Sequence, residues 1–307
     1  MSAALAGSSP GPDREVMVVE PASVTGKTRG SSDLMPRVLS ALVLAPLAIC
    51  VAWLPSSGYP TAGGIVFGLF WLAAAIAVWS EWTNLVSGAG NRLLFVLGST
   101  TLVLAVIVAG MSHTRTPLLM IVLGALAAGV FARADRRSWV AAGVLYAGAL
   151  LVAPIVLRRD VEWGLVAILF LFALVWATDI AGYFAGRAFG GPKLAPKISP
   201  NKTWSGALGG TIGGMLAGLA VASLAGIGNL VAIALIAFCL SAVSQAGDLF
   251  ESAVKRRFGA KNAGRLIPGH GGVMDRMDGF VAAAAVAVVI GIARADMETA
   301  AQGLLLW

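Results

Sequence analysis

The sequence predicts an all-α, polytopic integral membrane protein with about nine transmembrane helices and two long cytoplasmic active-site loops. Three observations carry that expectation. Of the 307 residues, 58% are hydrophobic and only 12% charged, with a mean hydropathy of +0.85; a soluble domain is about half apolar and a quarter charged. Nine apolar segments follow one another, most of them near the ~20 residues that cross a bilayer. The basic residues are also lopsided. With the N-terminal tail counted as segment zero, 18 of the 22 Lys and Arg residues fall in even-numbered segments. Only Arg115, Arg158, Arg159 and Arg294 fall in odd ones. The positive-inside rule then puts the even side, including the N-terminus, in the cytoplasm, and the expected location is the inner or plasma membrane. The net charge of +7 is read as loop Lys and Arg facing anionic lipid and phosphate-bearing ligands, with no nucleic acid as partner.

Taken in order, residues 1–36 form a tail of Ser, Gly, Pro and charge (SSPGPDRE, GKTRGSSD). It cannot bury enough apolar surface to offset chain entropy, so a disordered cytoplasmic tail is expected. Residues 37–307 make the membrane domain. Its expected spans are 37–54, 62–80, 93–111, 117–132, 139–157, 163–185, 206–227, 229–250 and 279–294. Pro46 and Pro154 lie inside spans and should kink them. The seventh, GALGGTIGGMLAGLA, has small residues at four-residue spacing, which lets another helix approach closely. Cys50 and Cys239 sit in apolar runs, so no disulfide framework is expected. No secretory leader is evident, since the first apolar run begins only near Val38. The polar loops 186–205 and 251–278 lie on the same side and can converge on one site.

The stretch from Gln245 to Asp278 is the most chemical part of the chain. Gln245, Asp248, Ser252 and Lys255 are spaced by three, four and three, so they line one helical stripe. Such a stripe suits a metal-bound phosphate; lysine and serine are also ordinary at a snorkelling helix end. Then comes IPGHGGVMDRMDG. Gly269, Gly271 and Gly272 allow positive φ and close backbone approach, and consecutive amides in such a turn can cradle an anion. Asp275 and Asp278, three apart, share a helical face, and carboxylates with few other ligands suit magnesium. His270 can bind phosphate, transfer a proton or hold the loop. Upstream, Asp179, Tyr183 and Arg187 share a face of the sixth span. Asp179 is either a site residue or half of a buried ion pair. Ser199, Asn201, Lys202, Thr203 and Trp204 precede a helix start, a setting that suits phosphate or base contacts. GxxxxGK[ST], GxGxxG and GxSxG motifs are absent, and two histidines with two membrane-buried cysteines make a zinc site improbable.

The run SAVKRRFGAKNAGRLIPGHGGVMDRMD, Ser252 to Asp278, closely resembles the signature of the phosphatidate cytidylyltransferases, or CDP-diacylglycerol synthases. ISPNKTW and GDLFES also look like that family, and the resemblance extends from about Asp179 to Gly279. Two positions depart: Asn262 stands where the signature has aspartate, and Ser205 where glutamate is frequent. The resemblance implies transfer of CMP from CTP to phosphatidic acid, giving CDP-diacylglycerol and pyrophosphate, by a catalytic half at about 163–294. It implies catalytic roles for Asp248, Asp275, Lys255 and His270. Magnesium would be held by Asp248, Asp275 and Asp278, with a second cation left open. Lys202, Lys255, Arg256 and Arg276 would contact phosphates. Ser199, Asn201 and Thr203 would orient CTP, Ser252 would line the substrate stripe, and Asp179 would support the site from the sixth span. A homodimer is also implied. Two other readings stand beside it: a CTP-dependent polyprenol or phytol kinase, and a transporter using Asp179 and Asp248 midway across.

Overall fold

A backbone surrounded by lipid has to satisfy its own hydrogen bonds, so each apolar run closes into a helix. The computed structural model of the chain describes residues 34–54, 61–88, 90–111, 115–264, 266 and 271–307. Residues 1–33 of the expected tail lie outside them, as does His270; the tail's last three residues, expected to be disordered, instead open the first helix at Leu34. The helices are α1 (Leu34–Trp53), α2 (Ala62–Ser87), α3 (Arg92–Met111), α4 (Thr116–Phe131), α5 (Arg137–Arg159), α6 (Gly164–Phe189), α7 (Trp204–Leu224), α8 (Leu230–Arg257), α9 (Met274–Arg294) and α10 (Ala300–Leu305). Seven of them, α2, α3 and α5 to α9, are long and apolar enough to cross a membrane. The other two expected spans, α1 and α4, are also present as helices, of 20 and 16 residues. The 16 residues of α4 make about 24 Å of helix against about 30 Å of hydrocarbon.

Several expected spans end before their helices do: α2, α5, α6 and α8 run on to Ser87, Arg159, Phe189 and Arg257, and α9 begins at Met274, ahead of its expected start at 279. Hydropathy marks where a helix leaves hydrocarbon; hydrogen bonding and packing decide where it ends. Two elements were not expected. Within the loop after α6, β1 (Lys193–Ala195) pairs antiparallel with β2 (Ser199–Thr203). At the opposite end of the bundle, α10 packs under the helix ends.

α5 is the pivot of the bundle, with 72% of its spanning window buried. Aromatic side chains lock α2 to its neighbours. Trp71 stacks on Phe280 of α9 at 5.0 Å between ring centres, and Phe172 of α6 lies 5.5 Å from Phe280. The indole N–H of Trp82 donates to the Trp139 carbonyl at 2.8 Å, and that of Trp79 to the Phe95 carbonyl at 3.1 Å. These bonds spend the polar edge of each indole inside the apolar bundle.

The glycine face of α7 meets α6 within the chain. A Cβ on Gly206 would lie 2.9 Å from the Gly182 carbonyl oxygen, and one on Gly210 would lie 2.8 Å from that of Thr178. Both obstacles are backbone and cannot move aside. Gly210→Val is therefore expected to cost about 1–3 kcal/mol by overpacking, read as a lower midpoint of thermal unfolding in detergent.

Three of the four odd-side arginines, Arg158, Arg159 and Arg294, make structural contacts. Arg158 donates to the carbonyls of Ala52 and Leu54 at 2.9 and 3.0 Å, tying α5 to the end of α1. Arg294 donates to the carbonyls of Gly303 and Leu306 and lies 3.5 Å over the Trp307 ring. Arg159 pairs with Glu298 at 3.5 Å. These contacts hold the C-terminal segment against the helix ends, far from the polar loops.

Candidate active site

The loops after α6 and α8 meet at one end of the bundle around a cavity of about 830 Å³. Its wall draws on α6 (Asp179, Tyr183, Arg187), the hairpin and start of α7 (Asn201, Lys202, Thr203), α8 (Asp248, Lys255) and α9 (Asp275, Arg276, Asp278). The hairpin explains how a loop becomes a wall. β2 delivers Lys202 next to α8, where its ammonium pairs with Asp248. Thr203 then caps α7, its hydroxyl accepting from the Gly206 N–H at 3.1 Å. Ser205, one of the two departures, donates to the Gly190 carbonyl and lies 3.0 Å from the Thr203 hydroxyl. It thereby fastens the base of the hairpin to the end of α6. Asn262, the other departure, lines the cavity.

On α8 the expected stripe is real, and its members do different work. Gln245 faces α7, donating to the Ala207 carbonyl at 3.1 Å and the Thr211 hydroxyl at 2.9 Å. Ser252 reaches Asp248 at 3.4 Å. Lys255 sits between two carboxylates, 2.6 Å from Glu251 and 2.6 Å from Asp275. Glu251 is fully buried, and the Lys255 ammonium 2.6 Å from its Oε2 is its charge partner.

The glycine turn differs from expectation in an instructive way. Gly271 takes positive φ (88°) and Gly272 does not; Gly269 lies outside the described residues. The turn's amides do cradle anions, but the anions are the chain's own. Asp275, in the first turn of α9, accepts from Gly272 N–H at 2.8 Å and Ala263 N–H at 3.1 Å. Glu81 of α2 accepts from Val273 N–H at 3.0 Å and Met274 N–H at 2.8 Å. A buried carboxylate beside orphan helix amides satisfies both, and the helix dipole favours the negative charge there.

Other candidates are placed as follows. Asp179, Asn201, Lys202, Thr203, Asp248, Lys255, Asp275, Arg276 and Asp278 share the cavity. Ser199, Ser252 and Arg256 are not among its lining residues. Ser199 pairs with Ala195 across the hairpin. Arg256 donates to the carbonyls of Ile198 and Ala260 at 3.3 and 3.1 Å, bracing the hairpin turn against α8. Arg187 donates to the Tyr183 hydroxyl at 3.0 Å.

Among the described residues, the carboxylate trio that gathers closely differs from the expected one by a single member. Asp248, Glu251 and Asp278 offer oxygens within 4.8 Å of one another. Asp275, next to them, is engaged by Lys255 and the two amides. Glu251 was missed because it faces the apolar side of the sequence pattern, one residue from Phe250. Glu81 was missed because the expected span ended at residue 80. Its signal was present, since a lone carboxylate continuing an apolar helix is a site candidate by default.

The sequence model of the cytidylyltransferase family matches residues 35–292. A protein of Brucella suis named phosphatidate cytidylyltransferase is 43% identical over 272 residues, covering 87% of this chain and 96% of that protein. Shorter matches carry the same name in Haemophilus influenzae, 42% identical over 41% of this chain and 45% of that protein, and in Bacillus subtilis, 36% identical over 48% and 55%.

Proposed function

The chain belongs to the cytidylyltransferase family, and on that premise we propose that it transfers CMP from CTP to phosphatidic acid, releasing pyrophosphate and leaving CDP-diacylglycerol in the membrane. One observation supports this most: two polar loops distant in sequence share a single charged cavity at the ends of membrane-spanning helices. A site there admits a water-soluble nucleotide from one side and a lipid headgroup sideways from the bilayer.

The chemistry asks little of the protein beyond positioning and charge. A phosphate oxygen of phosphatidic acid attacks the α-phosphorus of CTP. The bond from that phosphorus to the bridging oxygen breaks, and pyrophosphate carries away the electron pair. The attacking oxygen is already anionic at neutral pH, so neither a protein nucleophile nor a strong base is required. The barrier is lowered by orientation and by neutralising the phosphates. Lys202, Lys255 and Arg276 bring positive charge to the cavity wall. Asn201 offers an amide for the nucleotide. Thr203, which caps α7, sets where the hairpin ends and so where Lys202 points.

Asp248, Glu251 and Asp278 suit a hard divalent cation such as magnesium. They gather three carboxylates within 4.8 Å, and Glu251 is fully buried with the Lys255 ammonium as its charge partner. Few protein oxygens completed by water and phosphate is the ordinary magnesium environment. When bound, the ion would supply charge neutralisation to the triphosphate. The proposal also places this end of the bundle in the cytoplasm of the inner or plasma membrane, on the weight of the basic loops. A homodimer, if formed, has to use a surface other than the α7 face that α6 fills.

Purified protein given phosphatidic acid, magnesium and CTP should release one pyrophosphate per CDP-lipid. Label in the α-phosphate of CTP should move to the lipid, and label in the γ-phosphate should not. Transfer of γ-label alone would make the protein a kinase, and solute flux into vesicles without CTP would make it a transporter.

A further inference from the structure

Glu81 lies outside the residues that line the cavity, in the half of the chain that precedes α6. It is nonetheless 5% exposed, a buried carboxylate that the proposed chemistry does not use. Its two oxygens take the amides of Val273 and Met274, immediately before Asp275. Val273 is the N-cap residue of α9 and supplies no side-chain cap of its own. Gly264 and Gly272 also pack against the same carboxylate. A Cβ on Gly264 would overlap Glu81 Oε1, and one on Gly272 would overlap Oε2. Neither glycine has positive φ, so backbone conformation does not demand glycine at either place. The Glu81 carboxylate does.

We propose that Glu81 is a positioning residue, a clamp from α2 that holds Gly264, Gly272 and the first turn of α9 together. It thereby fixes Asp275 and Asp278 against Lys255 and Asp248. The physical logic is short. The first-turn amides of α9 have no partners within the helix. One carboxylate accepting two of them fixes the height and rotation of the helix end. Rotation at that end would carry both aspartates away from α8, and a site held loosely loses rate before it loses fold. The clamp also explains how the first half of the chain takes part in the reaction although none of its described residues lines the cavity.

The inference rests on the cytidylyl-transfer reading, so its test carries one readout that does not need activity. Wild type, Glu81→Gln, Glu81→Ala, Gly272→Ala and the Glu81→Ala/Gly272→Ala pair are compared in one detergent. The measurements are kcat, KM for CTP, CTP sites per protein, thermal midpoint, and amide hydrogen exchange over residues 264–280. Glu81→Gln should lower kcat about 10–100-fold, the size usual for a residue that orients a reacting group. KM for CTP and the number of CTP sites should stay near wild type, and exchange in the first turn of α9 should quicken. Gly272→Ala should lose about tenfold alone and less than about twofold on top of Glu81→Ala, because the overlap has then been removed. Should Glu81→Gln not fold, the Gly272→Ala arms decide by the same criterion.

Unchanged kcat in Glu81→Gln, additive losses, or a fall in CTP sites that tracks the fall in kcat would each overturn the clamp. If wild type binds CTP yet makes no CDP-lipid, the reaction reading fails. The clamp is then judged on hydrogen exchange alone, and unchanged exchange in Glu81→Gln would overturn it.

Discussion

Asp275→Asn should lower kcat by about 10²–10³-fold, the usual cost of losing one well-placed electrostatic group, while the protein remains folded. The carboxylate has four claims on it at once. It takes the Lys255 ammonium at 2.6 Å, the Gly272 amide at 2.8 Å and the Ala263 amide at 3.1 Å, and it lines the cavity. An amide side chain keeps the shape but offers only one accepting oxygen. Its NH₂ must face either a cation or a backbone N–H, so one side of the cradle opens. The charge balance around Lys255 also shifts, and the ammonium is drawn toward Glu251 and away from the cavity. Folding should survive because Lys255 keeps one carboxylate partner. Initial rates with labelled CTP, alongside a thermal unfolding curve in the same detergent, check both halves. Near-wild-type turnover in Asp275→Asn would remove this residue from the reaction.

Lys255→Met should do more harm to stability than any single change at the cavity rim. The ammonium side chain is 12% exposed and bridges Glu251, at 0%, and Asp275, at 8%. Removing it leaves two buried carboxylates facing each other with no compensating charge. Breaking a buried pair in this way costs about 3–5 kcal/mol, most of it the penalty for the charge left behind. The same argument predicts a rescue. Lys255→Met combined with Glu251→Gln should recover much of the lost stability, since the fully buried carboxylate that loses its cation has been neutralised. It should recover none of the rate, because the cation is still missing from the cavity wall. A denaturation midpoint for the single and double variants separates the two effects. A single variant as stable as wild type would show that Glu251 is not held as a charge.

Much of this arrangement could be read before any coordinates. Nine apolar runs were visible as runs, because lipid imposes a length and a polarity on every crossing. Asp248, Lys255, Asp275 and Asp278 were visible because charge at the margin of an apolar helix needs a reason. The shared end of the two polar loops followed from counting helices between them. The hairpin at 193–203 was less visible: three- and five-residue strands carry too little alternation to stand out. α10 was also missed, since a six-residue helix owes its existence to Arg294 and Asp160 holding its backbone.

Sequence alone was enough for the helices, the side on which charge collects, and the identity of most groups at the cavity, because each depends on spacing along one helix or on solvent. Which partner each polar group takes was decided only by the tertiary structure. Glu81 reaches Val273 across 192 positions of chain, the glycine-turn amides are spent on internal carboxylates, and Glu251 joins Asp248 and Asp278. Partnership of that kind depends on how helices rotate and slide against one another, and local periodicity is the same for every rotation. Only the packed bundle selects one.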